Sequence, residues 1–389
     1  MNIPSYYASG YEKARELNPE LADNYAAHMT IGDPAADAAI ADLLSLEPSQ
    51  IARLIQAGVD RDAAALRDAP PRVRDFFEMI EAPPDWVNTD GFIPGIRMFH
   101  RNSSLILGAF VGGTLVEGFS TNIAKPFFIT GRLRESAVRR LRQNNRQMFE
   151  LFLPGGLERD GDGWKLSVRV RLVHARIRHL LTDSFEWDDA WGTPLSAAHM
   201  GFAITAFSVR LVRHMRRLGC RFNDEEKESF IAVWRYAGYL MGIPETILFR
   251  GEKDALEIYQ MGRMTEPEPD FESVAMANAL IQSAPLVIDI TDVTSRRNLA
   301  GYVYKVSRAL IGNELADQLR FPDTSTMGVL TWFRLQKRYE ETLGKLINRQ
   351  GQSNRFGQFS ALLEASMYDN FGISYALPNR LYSEESRPY

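Results

Sequence analysis

One cysteine, Cys220, stands among 389 residues. An internal disulfide is therefore excluded, which fits a reducing compartment. A lone cysteine reads as structural. Long apolar runs are missing too. The longest, Leu105 to Val116, is too short to span a bilayer and contains glycines, so it reads as a tightly packed buried helix. The opening residues, Met1 to Tyr7, lack a basic stretch followed by an apolar one. No secretory signal is visible, and the expected location is the cytoplasm. Neither sign of charge dominates: 45 Lys and Arg against 49 Asp and Glu leave a net charge of −4. Such a balance gives no global field that favours nucleic acid. Arginine is locally dense over 132–146 and 169–178, where interleaved apolar residues point to local anion sites or ion-paired faces.

Chemical signatures are as scarce. There is no Gly-x-Gly-x-x-Gly and no Walker loop, so a phosphate cradle has no support. No Gly-x-Ser-x-Gly elbow occurs, and no His-Glu-x-x-His. None of the six histidines follows a glutamate by three residues, which argues against a carboxylate-bridged di-iron bundle. No Cys/His cluster has zinc spacing. With protein-only catalytic motifs absent, a cofactor held by histidine gains weight.

Helical periodicity fills the chain instead. Residues 35–47, 48–57, 71–80, 103–120, 133–152, 166–182, 195–218, 224–241, 270–283, 296–311 and 326–348 read as helices. Strand signals are confined to short pieces near Trp164–Val170 and Leu286–Ile290. Pro83-Pro84, Pro154-Gly155-Gly156 and Pro267-Glu268-Pro269 break the helices, and Asp160-Gly161-Asp162-Gly163 marks a turn, as of a short hairpin. Asn223 followed by three acidic residues starts a helix. The pattern predicts an all-α protein with one large helical domain over 29–350. Residues 1–28 read as an N-terminal extension, and 351–389 as a C-terminal segment packed on the domain with a frayed end.

The segment Val168 to His179 is the densest signal. Four arginines and two histidines share twelve residues with five large aliphatics and one alanine. A surface helix does not need those aliphatics, and a core helix does not tolerate that charge without an anionic neighbour. At about 100° per residue, Val170, Arg171, His174, Arg178 and Leu181 share one side. A histidine so flanked suits an iron porphyrin: the imidazole ligates, the aliphatics cover the ring and guanidinium groups meet the propionates. Periodicity alone leaves an ordinary histidine on a basic amphipathic helix as the simpler reading.

An ordered set of short motifs now bears on that choice. From the N-terminal side these are Ile31-Gly32-Asp33-Pro34, Val116-Glu117-Gly118-Phe119-Ser120, Thr130-Gly131-Arg132-Leu133 and Leu153-Pro154-Gly155-Gly156-Leu157. Then come Val170-Arg171-Leu172-Val173-His174-Ala175, Trp191-Gly192-Thr193-Pro194-Leu195 and Trp234-Arg235-Tyr236-Ala237-Gly238-Tyr239-Leu240-Met241-Gly242-Ile243-Pro244. Together, over about residues 29 to 245, the chain resembles the latex-clearing protein (rubber oxygenase) and MpaB-type oxygenase family. The C-terminal third matches poorly.

The resemblance implies a helical fold related to globins, haem b, and O₂-dependent chemistry on an apolar substrate. Rubber-cleaving members split carbon–carbon double bonds and leave carbonyl ends. The family's proximal iron ligand, in Val-Arg-x-x-His-Ala, falls on His174. A His-x-x-x-Arg-His pattern of rubber-cleaving members falls on His174, Arg178 and His179. A distal Arg-x-x-x-Thr element falls on Arg140 and Asn144. The threonine is thus replaced, and the lysine that rubber-cleaving members carry before it is Gln143 here. An amide neither occupies an iron site nor acts as a base as an amine does, so the distal chemistry need not be rubber cleavage.

The resulting expectation is a haem b oxygenase acting with O₂ on a hydrophobic unsaturated or aromatic small molecule. The alternative is a haem protein with a peroxidase-like, sensor or carrier role, and a third is a helical binding module that has lost its cofactor. His174 is the expected iron ligand. Arg178 and Arg171 are expected at the propionates, against a simple ion pair, for Arg178 with Asp183 or Glu186. His179, about 140° round the helix from His174, is a supporting rather than ligating residue. Arg140 and Asn144 are expected on the distal side, with apolar residues of 103–120 along the substrate path. Glu117 is a candidate buried base, against capping or an ion pair. Trp234, Tyr236 and Tyr239 read as core, and His28, His100, His199 and His214 as structural.

Overall fold

In a computed structural model the chain is described at residues 3–287, 290, 292–335, 377–378 and 381, without the side chains of 132–140. Among the described residues the regular elements are all helical. The first six are α1 (Ala8–Leu17), α2 (Pro19–His28), α3 (Pro34–Leu43), α4 (Pro48–Val59), α5 (Ala63–Leu66) and α6 (Pro71–Met79). The central helices are α7 (Ile93–Ala109), α8 (Leu115–Phe119), α9 (Ala124–Ile129), α10 (Arg132–Leu151), α11 (Asp162–Thr182), α12 (Ala197–Thr205), α13 (Leu211–Leu218) and α14 (Asp224–Leu240). The last are α15 (Glu252–Thr265), α16 (Phe271–Val287), α17 (Val293–Ile311) and α18 (Asn313–Gln318).

Local chemistry explains many of the boundaries. Proline stands at the first turn of α2, α3, α4, α6 and α7, where its missing N–H is harmless. Asn18, Asp33 and Asn223 cap α2, α3 and α14 by accepting backbone N–H bonds. Asn223 and Glu226 form a reciprocal capping box.

Two expectations are corrected. The segment Trp164–Val170, read as strand-like, lies inside α11, because Val168 and Val170 are buried on helical faces. The piece at 286–287 closes α16, whereas 288–289 fall outside the described residues. Residues 3–28, read as an N-terminal extension, pack on the rest of the chain. Tyr7 and Tyr25 are fully buried, and α1 packs against α15. Helix 326–348 and segment 351–389 lie mostly outside the described residues. Of the latter, Leu377 and Leu381 pack against Val173, Ile177, Leu181 and Leu195, and the Pro378 carbonyl accepts from Arg176 Nε at 2.9 Å.

The two long apolar helices are each interrupted by one π-helical turn. Phe110–Thr114 separates α7 from α8, and Ala206–Arg210 separates α12 from α13. The two turns touch each other. Such turns bulge the backbone and re-aim the side chains that follow. Around them pack α14, α15, α16 and α17, with α7 crossing α14 closely: the Gly95 N–H donates to Ser229 Oγ at 2.8 Å.

Candidate functional site

Helix α11 brings His174 to the wall of a cavity. Val170, Val173 and Ile177 line it from the same face of α11. α10 contributes Asn144, Gln147 and Met148. The first π-turn and α8 add Phe110, Leu115, Gly118 and Phe119, and the second π-turn adds Ala206 and Phe207. α9 and its flanks give Ile123, Pro126, Phe127 and Thr130, and α14 gives Trp234 with Met241 just beyond it. The wall is overwhelmingly apolar, and His174 is the titratable side chain among the described lining residues. Thr130 is occupied, its hydroxyl donating to the Pro126 carbonyl at 2.7 Å. Gln147 Nε2 lies 3.6 Å from Met241 Sδ, a weak acceptor.

The other predicted site residues are distributed differently. Asn144 lines the cavity, whereas Gln143 is buried beside it and is not part of the lining. Arg140 sits on α10, with its side chain outside the described ones. His179 points to the end of α11, its Nδ1 2.7 Å from Asp183 Oδ2.

Arg171 and Arg178 reach into a buried clamp. Arg171 Nε and Nη2 donate to both oxygens of Asp33, at 2.5 and 2.9 Å. Arg178 pairs with Asp37, and its Nε and Nη2 donate at 3.1 Å to the carbonyls of Pro194 and Leu195. Neither partner is the Asp183 or Glu186 that proximity in sequence suggests. Burial pushes Asp37 above the usual carboxylate range even beside Arg178. These bonds tie α11 to the start of α3 and to the loop before α12. The clamp also explains two glycines. A Cβ at Gly32 would meet Arg178 Nε at 2.5 Å, and one at Gly242, where φ is +87°, would meet Asp33 Oδ2 at 2.0 Å. Leu195, held at φ 48° by the loop that Arg178 ties down, turns its side chain into the cavity wall.

Glu117 stands in an ion pair, the alternative to the base reading. It is buried under the cavity wall and is not part of the lining. Arg210, from the second π-turn, donates to both its oxygens, by Nε at 2.9 Å and by Nη2. Tyr259 OH donates at 3.2 Å, and His214 Nε2 lies 3.3 Å away. Burial alone would raise this carboxyl. The charge of His214, with the hydrogen bonds and charge of Arg210, outweighs it and holds Glu117 well below the usual range. A carboxylate so engaged cannot accept a proton from a ligand it does not touch.

The remaining histidines have protein partners. His199 sits between Ser196 Oγ at 2.9 Å and Glu266 Oε1 at 3.0 Å. His28 meets the Asn24 carbonyl and Thr246, and His100 the Phe152 carbonyl. Trp234, read from its spacing as core, is buried but also lines the cavity. Helical spacing marks a buried face and does not say whether that face meets protein or open space.

Among the described residues no three His, Cys, Asp or Glu side chains gather as metal ligands. The donor set on offer is one imidazole in an apolar wall. That set suits a metal whose remaining ligands arrive with a macrocycle, as in an iron porphyrin. Among the described residues no helix is long and apolar enough to cross a membrane.

Comparison with known proteins gives a family and a fold. The family described as ER-bound oxygenase mpaB/B'/Rubber oxygenase, catalytic domain, matches residues 96–338. Rubber oxygenase from Streptomyces sp. (strain K30) is 23% identical over 226 residues, which cover 55% of this chain and 54% of that protein. The chain thus matches about half the length of this curated relative. The structure of latex clearing protein LCP in the closed state aligns with a TM-score of 0.64 at 18% identity, over 88% of this chain and 91% of that one. The latter is a likeness of fold.

Proposed function

The chain belongs to the MpaB and rubber oxygenase catalytic-domain family, and from that premise we propose that it is a haem b-dependent oxygenase acting on a hydrophobic unsaturated or aromatic molecule. One observation carries the proposal: the His174 imidazole stands on the wall of a largely apolar cavity. Haem b bound there supplies an iron that can carry and activate O₂. His174, as the neutral imidazole, would hold the iron from α11. Val170, Val173 and Ile177 cover apolar surface beside it, and the aromatic wall of Phe110, Phe119 and Phe207 excludes water from the substrate. Asn144 and Gln147 offer amides, which can orient a bound molecule by hydrogen bonds. The arginines of the clamp are not assigned to the porphyrin. The name of the curated relative, rubber oxygenase, supports oxygenation of a hydrophobic substrate, and oxidative cleavage of a carbon–carbon double bond is the form of it proposed here. Buried Cys220, the single cysteine, supports a reducing, cytoplasmic setting.

A second reading has one observation in its favour. Among the described lining residues no acid or base accompanies His174. A cavity without a proton-transfer group suits a haem sensor or carrier.

Absorption spectroscopy tests the cofactor. Wild-type protein loaded with haem is expected to show a Soret band that is lost or strongly shifted in His174→Ala, with far-UV circular dichroism unchanged. An identical band in the variant removes His174 from the iron. Oxygen uptake matched by carbonyl product from an unsaturated substrate separates oxygenase from carrier. A stable oxy spectrum that persists with substrate favours the carrier.

A further inference from the structure

Helix α8 turns Leu115, Gly118 and Phe119 to the cavity, at the spacing of one helical face. The glycine interrupts that apolar stripe. Leu115, Val116, Glu117 and Phe119 are buried, and Gly118 is the residue of α8 that keeps some exposure. Apart from its chain neighbours and its own helix backbone, no heavy atom lies within 4 Å of where its Cβ would stand. Between two large apolar side chains, the absent one leaves a notch in the wall.

The fold does not demand a glycine here. The backbone is helical, and Gly118 is not among the glycines with positive φ. Gly113, in the π-turn before it, differs: a Cβ there would meet the His214 ring at 2.6 Å. Alanine would fit at 118 and is the better helix former. A helix glycine with neither a conformational nor a packing reason is explained by the space it leaves. The flank of that space is rigid and apolar, since Phe119 packs edge-on against Phe127 with centroids 5.4 Å apart. The notch and His174 belong to different walls: α8 packs on α16 and the first π-turn, and α11 on α3, α10 and α14.

We propose that Gly118 is a specificity-determining residue, and that the notch it leaves receives the ring or branched part of a hydrophobic substrate. The proposal rests on reading the cavity as a substrate site. A side recess in an apolar wall gives contact to a molecule with lateral bulk, whereas an open chain runs past it. Filling the recess therefore removes contacts from the bulky molecule and few from the slender one.

The test uses limonene and myrcene, unsaturated ten-carbon isomers of which the first is a branched ring and the second an open chain. Equilibrium dialysis against full-length protein, with and without added haem, reads each affinity. Thermal unfolding of the same samples reads the fold. Gly118→Ala is expected to weaken limonene about fourfold, the worth of one buried carbon, and to change myrcene less than about twofold. Gly118→Leu is expected to weaken limonene by on the order of tenfold or more. The melting temperature of Gly118→Ala is expected to hold or to rise by up to about 2 °C, because alanine favours the helix. A fall instead would show that the glycine serves the fold, and would overturn the proposal. So would equal losses for the two isomers, limonene binding unchanged in both variants, or no binding of either isomer by the wild type. Weaker haem uptake by Gly118→Ala in a Soret titration, with limonene binding intact, would also overturn it, since the notch would then belong to the cofactor. If Gly118→Leu fails to fold, Gly118→Ala decides. Repeating the dialysis in His174→Ala separates the two readings. A selective loss of limonene in Gly118→Ala, in a protein without a Soret band, sinks the haem assignment alone. A Soret band that depends on His174, with limonene indifferent to Gly118, sinks the role of Gly118 alone.

Discussion

Glu117 shows how much one buried side chain can be asked to hold. It joins α8 to Arg210 of the second π-turn, to His214 of α13 and to Tyr259 of α15. A buried ion pair adds little over a well-packed apolar pair, yet removing one partner strands the other's charge. Glu117→Gln is therefore expected to lose about 3 kcal/mol of stability or more, read from the urea midpoint at neutral pH. A loss under about 0.5 kcal/mol, the scale of ordinary surface changes, would mean that Arg210 finds water or another acceptor. The motif that contains Glu117 was visible in the sequence, and so was its carboxylate. Its partners, 93 and 142 residues away in the chain, were not.

At the scale of elements, α11 is the helix on which the site depends. His174 reaches the cavity, and Arg171 and Arg178, on the flank of the same side, reach the acidic start of α3. The clamp fixes the rotation of α11, and so the direction of the imidazole. Gly242 lets the turn after α14 pass over the Asp33–Arg171 pair at a backbone angle that L-residues rarely adopt. Gly242→Ala is expected to cost about 1–3 kcal/mol and to broaden or shift the Soret band, because relief of the clash moves Asp33 and with it α11. Thermal unfolding and the haem spectrum read the two effects. A destabilised protein with an unaltered spectrum would show that the clamp supports the fold without orienting His174. The periodicity of 168–179 was legible as one helix with two demands on it. Which residues met acid and which met open space was decided by α3 and α10, far away in sequence.

For the molecule as a whole, acid is the condition that tests the buried charges. Glu117 and Asp270 have folded values below their ordinary ones, Glu117 by its cationic neighbours and Asp270 chiefly by Lys125 and Ser273 acting against burial. Their unfolded forms bind protons first as pH falls. Their stabilisation is full above the unfolded carboxylate range and is lost as pH drops towards the folded values. Asp37, raised by burial, acts in the opposite sense and lessens stability as pH rises through its range. The first effect is expected to dominate. Urea midpoints should fall steadily below about pH 4.5, the unfolded carboxylate value, and Glu117→Gln should flatten that slope. A wild type equally stable at pH 3 and pH 7 would contradict the assignment.

By itself the sequence determined that this is a helical protein, because apolar residues recur at helical spacing and proline and glycine punctuate them. It also determined the family, through an ordered set of short motifs, and singled out one histidine among six. Only the tertiary structure decided what the charged motif residues do. Asp33, Asp37, Arg171 and Arg178 form an internal clamp, Glu117 is a locked ion, and Trp234 is a wall of the cavity rather than filling. The reason is physical. Periodicity reports that a face is withdrawn from water, whereas a side chain's chemistry depends on what stands opposite it, and those partners are set by chain segments distant in sequence.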